Sequence, residues 1–211
     1  MACTVTVASG ESAAAHVKDG AVVCLSAGVH PGAIFIGEPG SYEIRGEAGA
    51  VIDAGGRGAV LHVAADDAVV KVVGVELRGG HAELGAGVRV TGWSTVRLED
   101  CAVGGNRPVQ GGSGGLGVSA GHVTAVRVRF AADAGLLLTG ASEVELDACE
   151  VLGEARVRDG AQVKIVDSTI ARLDVRGTTT RTPTVDVRGA TIREPVVNDD
   201  EQPGTITGLD G

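Results

Sequence analysis

Apolar residues in this chain come in pairs two positions apart, and the pairs return about every two dozen residues. One column reads Tyr42/Ile44, Val70/Val72, Val96/Leu98, Val126/Val128, Val144/Leu146, Val163/Ile165 and Val185/Val187. A second reads Ile34/Ile36, Leu61/Val63, Val88/Val90, Leu116/Val118, Leu136/Leu138, Ala155/Val157 and Leu173/Val175. A third follows the first by five residues: Val75/Leu77, Cys101/Val103, Cys149/Val151, Ser168/Ile170 and Ala190/Ile192. Period two marks strands, because alternate side chains face the same way. Three short strands per repeat, recurring at this interval, predict a solenoid. The third column has no clean pair after Val126/Val128. Its place falls on Ala131/Asp133, and a buried lone Asp is costly. The expectation is that Phe130 turns inward there and the register slips.

The predicted organisation is one domain over 1–211, with a cap and first strand over 1–21, coils over 22–193, and a last partial rung with an acidic tail over 194–211. The stretch SGESAAAHVKDG (9–20) reads as a short helix capping the first coil, since a solenoid end exposes unpaired backbone and apolar surface. Two insertions lengthen the turns, GGNRPVQGGSGGLG (104–117) and TTTRTPT (178–184).

Stretches of the chain resemble right-handed parallel β-helix proteins of the pectate-lyase-like superfamily. The likeness lies in Val22 through YEIRGEAGAVIDAGG (42–56) to VVKVVGVELRGG (69–80), and in the later units VRLEDCAVGGN (96–106), VELDACEVLGE (144–154) and VKIVDSTIARL (163–173). The resemblance implies an all-β, right-handed, single-stranded parallel β-helix, three-sided and of about seven coils, with a short N-terminal capping helix. It says little of function, because that superfamily includes lyases, hydrolases, esterases, epimerases and non-catalytic stalks.

Composition narrows the reading. Only four of 211 residues are aromatic, so the core is built from Val, Ile, Leu and Ala. A net charge of −9 argues against nucleic acid as partner. No apolar run approaches the ~20 residues of a membrane helix, and MACTVTVASG shows no signal-peptide pattern, which leaves the compartment open between the cytoplasm and export by another route. Cys101 and Cys149 hold one column position two coils apart, roughly 10 Å, too far for a disulfide, and are read as core fillers. Cys3 and Cys24 fall on adjacent rungs, but Cys24 lies between Val23 and Leu25 and points outward. A bridge there is allowed but not favoured.

The superfamily's enzymes resemble one another in local motifs: clustered acids beside an Arg, or Asn-Thr-Asp, Asp-Asp, Gly-His-Gly and Arg-Ile-Lys. Adjacent acids occur only at Asp66-Asp67, Glu99-Asp100, Asp199-Asp200 and Asp200-Glu201, and neither Gly-His-Gly nor Arg-Ile-Lys is present. No catalytic residue, metal ligand or cofactor is therefore assigned. His81, Glu83 and Arg78 share one long turn, where a His is more often solvated than catalytic. His62 faces outward without a second ligand at metal spacing.

The strongest ligand-binding candidate is a stripe of outward residues in the first column: Thr6, Glu43, Lys71, Arg97, Arg127, Glu145, Lys164 and Asp186. This register places Lys71, Arg97 and Arg127 on consecutive rungs, with Arg129 alongside. Like charges on adjacent strands repel, so such a run invites a carboxylate or sulfate. The competing reading is a solvated face neutralised by Glu99 and Glu145. Trp93, the one Trp, lies in a turn and offers a contact point. Three functions follow. The favoured one is a non-catalytic scaffold or protein-interaction module, with self-association through the solenoid ends or a sheet face. The others are a lyase acting on an acidic polysaccharide and a glycan-binding module.

Overall fold

The computed structural model describes residues 2–178, 181–197 and 204–208, with nothing said of the side chains of 195–197. The chain is a parallel β-solenoid with three strand-bearing faces. The first face stacks ten strands: Val5–Val7, Val22–Leu25, Gly40–Gly46, Ala68–Val73, Thr95–Glu99, the later parts of Leu116–Val126 and Leu136–Asp147, then Gln162–Val166, Thr184–Arg188 and Thr205–Thr207. The nine steps between them make about nine turns, roughly 43 Å at ~4.8 Å per rung. The sequence predicts about seven. The additional turns come from Val5–Val7 and Val22–Leu25 at one end and Thr205–Thr207 at the other, whose flanks do not repeat the apolar pairs of the middle coils.

The second face runs from Gly28–Pro31 through Ala50–Asp53, Glu76–Arg78, Ala102–Val103 and Arg129–Phe130 into the first residues of Glu150–Arg158, Thr169–Arg176 and Thr191–Val197. The third face carries Ile34–Ile36, Leu61–Val63, Val88–Val90 and the remaining parts of the long strands. Alternation points one set of side chains inward on every face, and equivalent positions stack. Ile44, Val72, Leu98, Val128, Leu146, Ile165 and Val187 are all buried, within one continuous aliphatic core.

Val128 is buried in a different column from the one its spacing suggests. Val96 pairs with Val123 and Leu98 with Ala125, so Val123/Ala125 fills the first face. Arg129 and Phe130 pair with Ala102 and Val103, which puts Val128/Phe130 into the empty place in the third sequence column. Phe130 is fully buried, as the register slip requires. Asp133 is exposed, and one of its carboxylate oxygens accepts the Gly105 N–H at 2.9 Å.

A single residue turns the chain from the first face to the second in each central coil, and it sits at positive φ: Gly74, Asp100, Arg127, Ala148, Asp167 and Gly189. The ladder continues through this corner. Asp100 N–H donates to Val126 O, Arg127 N–H to Asp147 O and Ala148 N–H to Val166 O, at 2.9–3.1 Å. The left-handed conformation costs an L-residue about 1–2 kcal/mol, and the stacked ladder holds it in place.

The expected capping helix is one 3-10 turn, Ala14–His16. Its buried anchor is Ala13, and the fully buried His30 ring ties the segment down, with its nitrogens 3.1 and 2.9 Å from the Glu11 and Ser26 carbonyl oxygens. Helix propensity in a dozen residues is too weak to outweigh these contacts. Cys3 and Cys24 form a disulfide, the outcome that the sequence allows but does not favour. Cys24 does point outward, but Thr6 rather than Cys3 is its rung partner. Cys3 lies before the strand begins and is free to swing across, leaving the Cα atoms 5.8 Å apart. Cys101 and Cys149 are buried and unpaired, and burial pushes both thiols up from the usual range.

Three outcomes test this fold. Leu146→Ala should cost about 2–5 kcal/mol in denaturant unfolding, the range for a buried Leu. Ala148→Gly should stabilise by up to about 1 kcal/mol, because relief at positive φ outweighs the added freedom of the unfolded chain. Thiol titration should find no fast-reacting thiol in the native protein, two after unfolding and four after unfolding with reduction.

Candidate functional site

The basic stripe is only partly contiguous. Lys71 and Arg97 are direct rung partners, but the next residue in the row is Thr124. Arg127 occupies the positive-φ corner, and Arg129 lies on the second face. All four cations are engaged by acids. Glu99 takes both Lys71, at 2.8 Å, and Arg97, at 2.5 Å. Arg127 makes two parallel hydrogen bonds to the Asp100 carboxylate, at 2.6 and 2.9 Å. Arg129 reaches Glu150 at 2.9 Å. Hydrogen bonds from Lys71 and then Arg97 hold the Glu99 carboxyl below the usual carboxylate range. Trp93 stands in the turn before Thr95, 58% exposed, with its backbone N–H donated to Asp66.

Further along the same face lies a depression of about 420 Å³. Its floor is the outward side chains of five rungs: His122 and Thr124, Glu143 and Glu145, Gln162 and Lys164, Thr184 and Asp186, Thr205 and Thr207. The His122 Nδ1 is 3.0 Å from Glu143, and Lys164 Nζ is 2.6 Å from Glu145. The His122–Glu143 pair is more than half exposed on both sides, so solvent weakens it. The backbone N–H groups of these strands are taken by the parallel ladder. The trough therefore presents side-chain hydroxyls, an amide, carboxylates, the His122 imidazole and the Lys164 ammonium, with no free backbone N–H pair among these rungs to stabilise an oxyanion. Its chemistry suits hydrogen bonding to a polar ligand. The sequence pattern misses this trough because the misplaced Val126/Val128 pair leaves His122 in a turn and removes Thr124 from the row. Correct pairing of Val123 with Val144 brings both onto the face.

The long turns lie elsewhere. The insertion at 104–117 packs over the third face. Asn106 is buried, accepting from Gly80 N–H and donating to Leu77 O, and the buried Ser113 hydroxyl accepts from Gly85 N–H. The Arg156 guanidinium donates to the carbonyls of Gly111, at 2.9 Å, and of Gly112. Gly117 lets the turn lie this close, since a Cβ there would stand 2.5 Å from the Leu84 side chain. On the third face His62 packs edge-on to Phe35, with ring centroids 5.2 Å apart, and lies beside Arg89 on the next rung. Burial, and then the Arg89 charge, lower the His62 pKa. His81 is exposed, with Nδ1 2.9 Å from the Arg107 carbonyl, Glu83 is exposed, and Arg78 is paired with Asp53. Among the described residues no three metal-ligating side chains cluster, and no helix is long and apolar enough to cross a membrane.

Comparison with known protein families, curated proteins and solved structures finds no match.

The Glu99 cluster has a pH signature. A carboxylate with a depressed folded-state pKa adds stability that is complete above its unfolded pKa, about 4.3, and is lost as pH falls through the folded value. Thermal melts should therefore show wild-type stability falling more steeply than that of Glu99→Gln below about pH 5. Parallel curves for the two proteins would show that the cluster contributes nothing.

Proposed function

We propose that this chain is a non-catalytic β-solenoid acting as a rigid scaffold and protein-interaction module. The observation that carries this reading is a line of large apolar side chains left in solvent on the N-terminal half. Phe35 is 66% exposed, Trp93 58% and Val69 54%. Val69 is the rung partner of Thr95, two residues past Trp93, and Asp67 N–H donates to the Trp93 carbonyl. Both residues thus stand where the third face turns into the first. Phe35 projects from the third face two coils earlier. Exposed Trp and Phe on a stiff frame are the usual anchors of a protein interface. Neutralisation of Lys71, Arg97, Arg127 and Arg129 by neighbouring acids also supports this reading. The coil pattern's likeness to the pectate-lyase-like superfamily is compatible with it, because that superfamily includes non-catalytic members. Self-association through a solenoid end or sheet face is a form of the same function.

A second reading, glycan binding or lyase action, draws on the trough over His122 to Thr207. Its three carboxylates outnumber its one lysine, which disfavours an acidic polysaccharide and leaves a neutral one as the better fit.

The joint variant Phe35→Ala/Trp93→Ala should keep the wild-type melting temperature, since both side chains are exposed. It should weaken capture of a protein partner by about tenfold or more. Release of unsaturated sugar, followed by ultraviolet absorbance over a panel of acidic glycans, should be absent. Sustained release that disappears in Lys71→Ala/Arg97→Ala would replace the scaffold reading with a lyase.

A further inference from the structure

Among the described residues, twelve of the 18 Lys and Arg side chains hold an acid within ion-pair distance. Among the described residues the other six are Lys18, Arg57, Arg89, Arg107, Arg181 and Arg193. Two of them, Arg57 and Arg107, are exposed and stand on the same corner, in the turns that lead from the second face to the third. His81 lies between them. Gly58, next to Arg57, bridges to His81, and His81 is the rung partner of Arg107. The His81 ring is held by the Arg107 carbonyl. Three adjacent coils of an acidic protein thus carry Arg57, His81 and Arg107 with no carboxylate paired to any of them among the described residues.

The ground beside them is hollow. Arg57 lines one depression of about 480 Å³, Arg107 lines another of about 310 Å³, and the two share Asp53 and Gly55. Glycines make up half of the lining, at positions 32, 55, 56, 79, 80 and 105. Their N–H groups are largely engaged: Gly55 to Asp53, Gly56 to Gly79 O, Gly79 to Gly105 O, Gly80 to Asn106 and Gly105 to Asp133. A peptide strand therefore finds no ladder to join, and a ligand has to be held by the arginine side chains. Asp53 is the one carboxylate lining either hollow, and it is spoken for. It accepts the Gly55 N–H and pairs with Arg78 at 3.0 Å, and the Gly55 hydrogen bond, with Arg78, lowers its pKa in spite of burial. Asp133, one coil on, is exposed and has one oxygen engaged by Gly105.

We propose that this corner is an oxyanion-binding groove, in which Arg57 and Arg107 grip two negatively charged groups of a linear ligand laid along the solenoid axis. The arginines stand two rungs apart, roughly 10 Å. Each planar guanidinium suits a carboxylate, sulfate or phosphate bidentately. The glycine floor lets the body of the ligand approach the backbone. Two chemical sources supply such a ligand, a free polyphosphate chain and an oligosaccharide bearing sulfate or carboxylate groups. The groove does not involve the Phe35–Trp93 edge, so it stands or falls apart from the scaffold reading.

Calorimetric titration of the full chain with inorganic tripolyphosphate, a sulfated disaccharide and orthophosphate tests it. Tripolyphosphate or the disaccharide should bind, the tighter of the two identifying the source, and orthophosphate should bind at least about tenfold more weakly. Arg57→Ala and Arg107→Ala should each weaken binding about tenfold, and the pair should abolish it. Asp133→Asn should tighten it, and rising salt should weaken it. Amide shifts on titration should centre on Gly55, Gly79 and Gly105. These substitutions lie on exposed side chains, and an unchanged melting temperature confirms folding. Three results would overturn the proposal: no binding of either linear ligand at millimolar concentration, equal affinity for orthophosphate, or full binding by the double variant.

Discussion

Each coil satisfies its backbone N–H and C=O groups by bonding to the coils above and below, and most of the structure depends on this. A parallel ladder has no register freedom once three faces share it, so equivalent residues must stack at ~4.8 Å. An inward column can become uniformly aliphatic, as in Ile44, Val72, Leu98, Ala125, Leu146 and Ile165. Outward columns risk stacking like charges, and in much of the first face the sequence interleaves them, with Glu43 beside Lys71, Glu145 beside Lys164 and Lys164 beside Asp186, while Lys71 and Arg97 share Glu99 instead. Even the corner obeys the ladder, holding Asp100, Arg127 and Ala148 at positive φ where glycine would be at ease.

The sequence discloses what the ladder repeats and hides what it does not. Apolar pairs at period two reveal the three faces and most of the core. The count of coils is less visible, because Val5–Val7 and Thr205–Thr207 carry the stack outward without the repeat's full pattern. The slip between Val123 and Val128 shows how one ambiguous pair distorts a site. Val123/Ala125 and Val126/Val128 both fit period two, and only the empty place beside Val103, which Phe130 fills, decides between them. That choice moves Arg127 off the basic row and His122 onto the polar trough. The Cys3–Cys24 bridge was hidden for a different reason: Cys3 precedes its strand, where alternation no longer dictates direction.

The outer surface divides by region. The N-terminal half leaves Phe35, Val69 and Trp93 in solvent, while the later rungs of the first face carry a polar trough. The corner between the second and third faces carries Arg57 and Arg107, two of the cations that pair with no acid among the described residues. A solenoid allows this separation because its core is indifferent to outward residues, so each stretch of surface can vary without disturbing the stack.

The outer rungs of the first face are held by different means. At the N-terminal end, a covalent link joins the segment before Val5–Val7 to the next rung, and His30 clamps the cap. At the other end of the first face, Thr205–Thr207 is held by its pairing with Thr184–Arg188. Thr205 and Thr207 also form one wall of the trough. The trough's shape therefore depends on the pairing of Thr205–Thr207 with Thr184–Arg188, and a ligand bridging Thr205 to Asp186 would brace that pair of rungs.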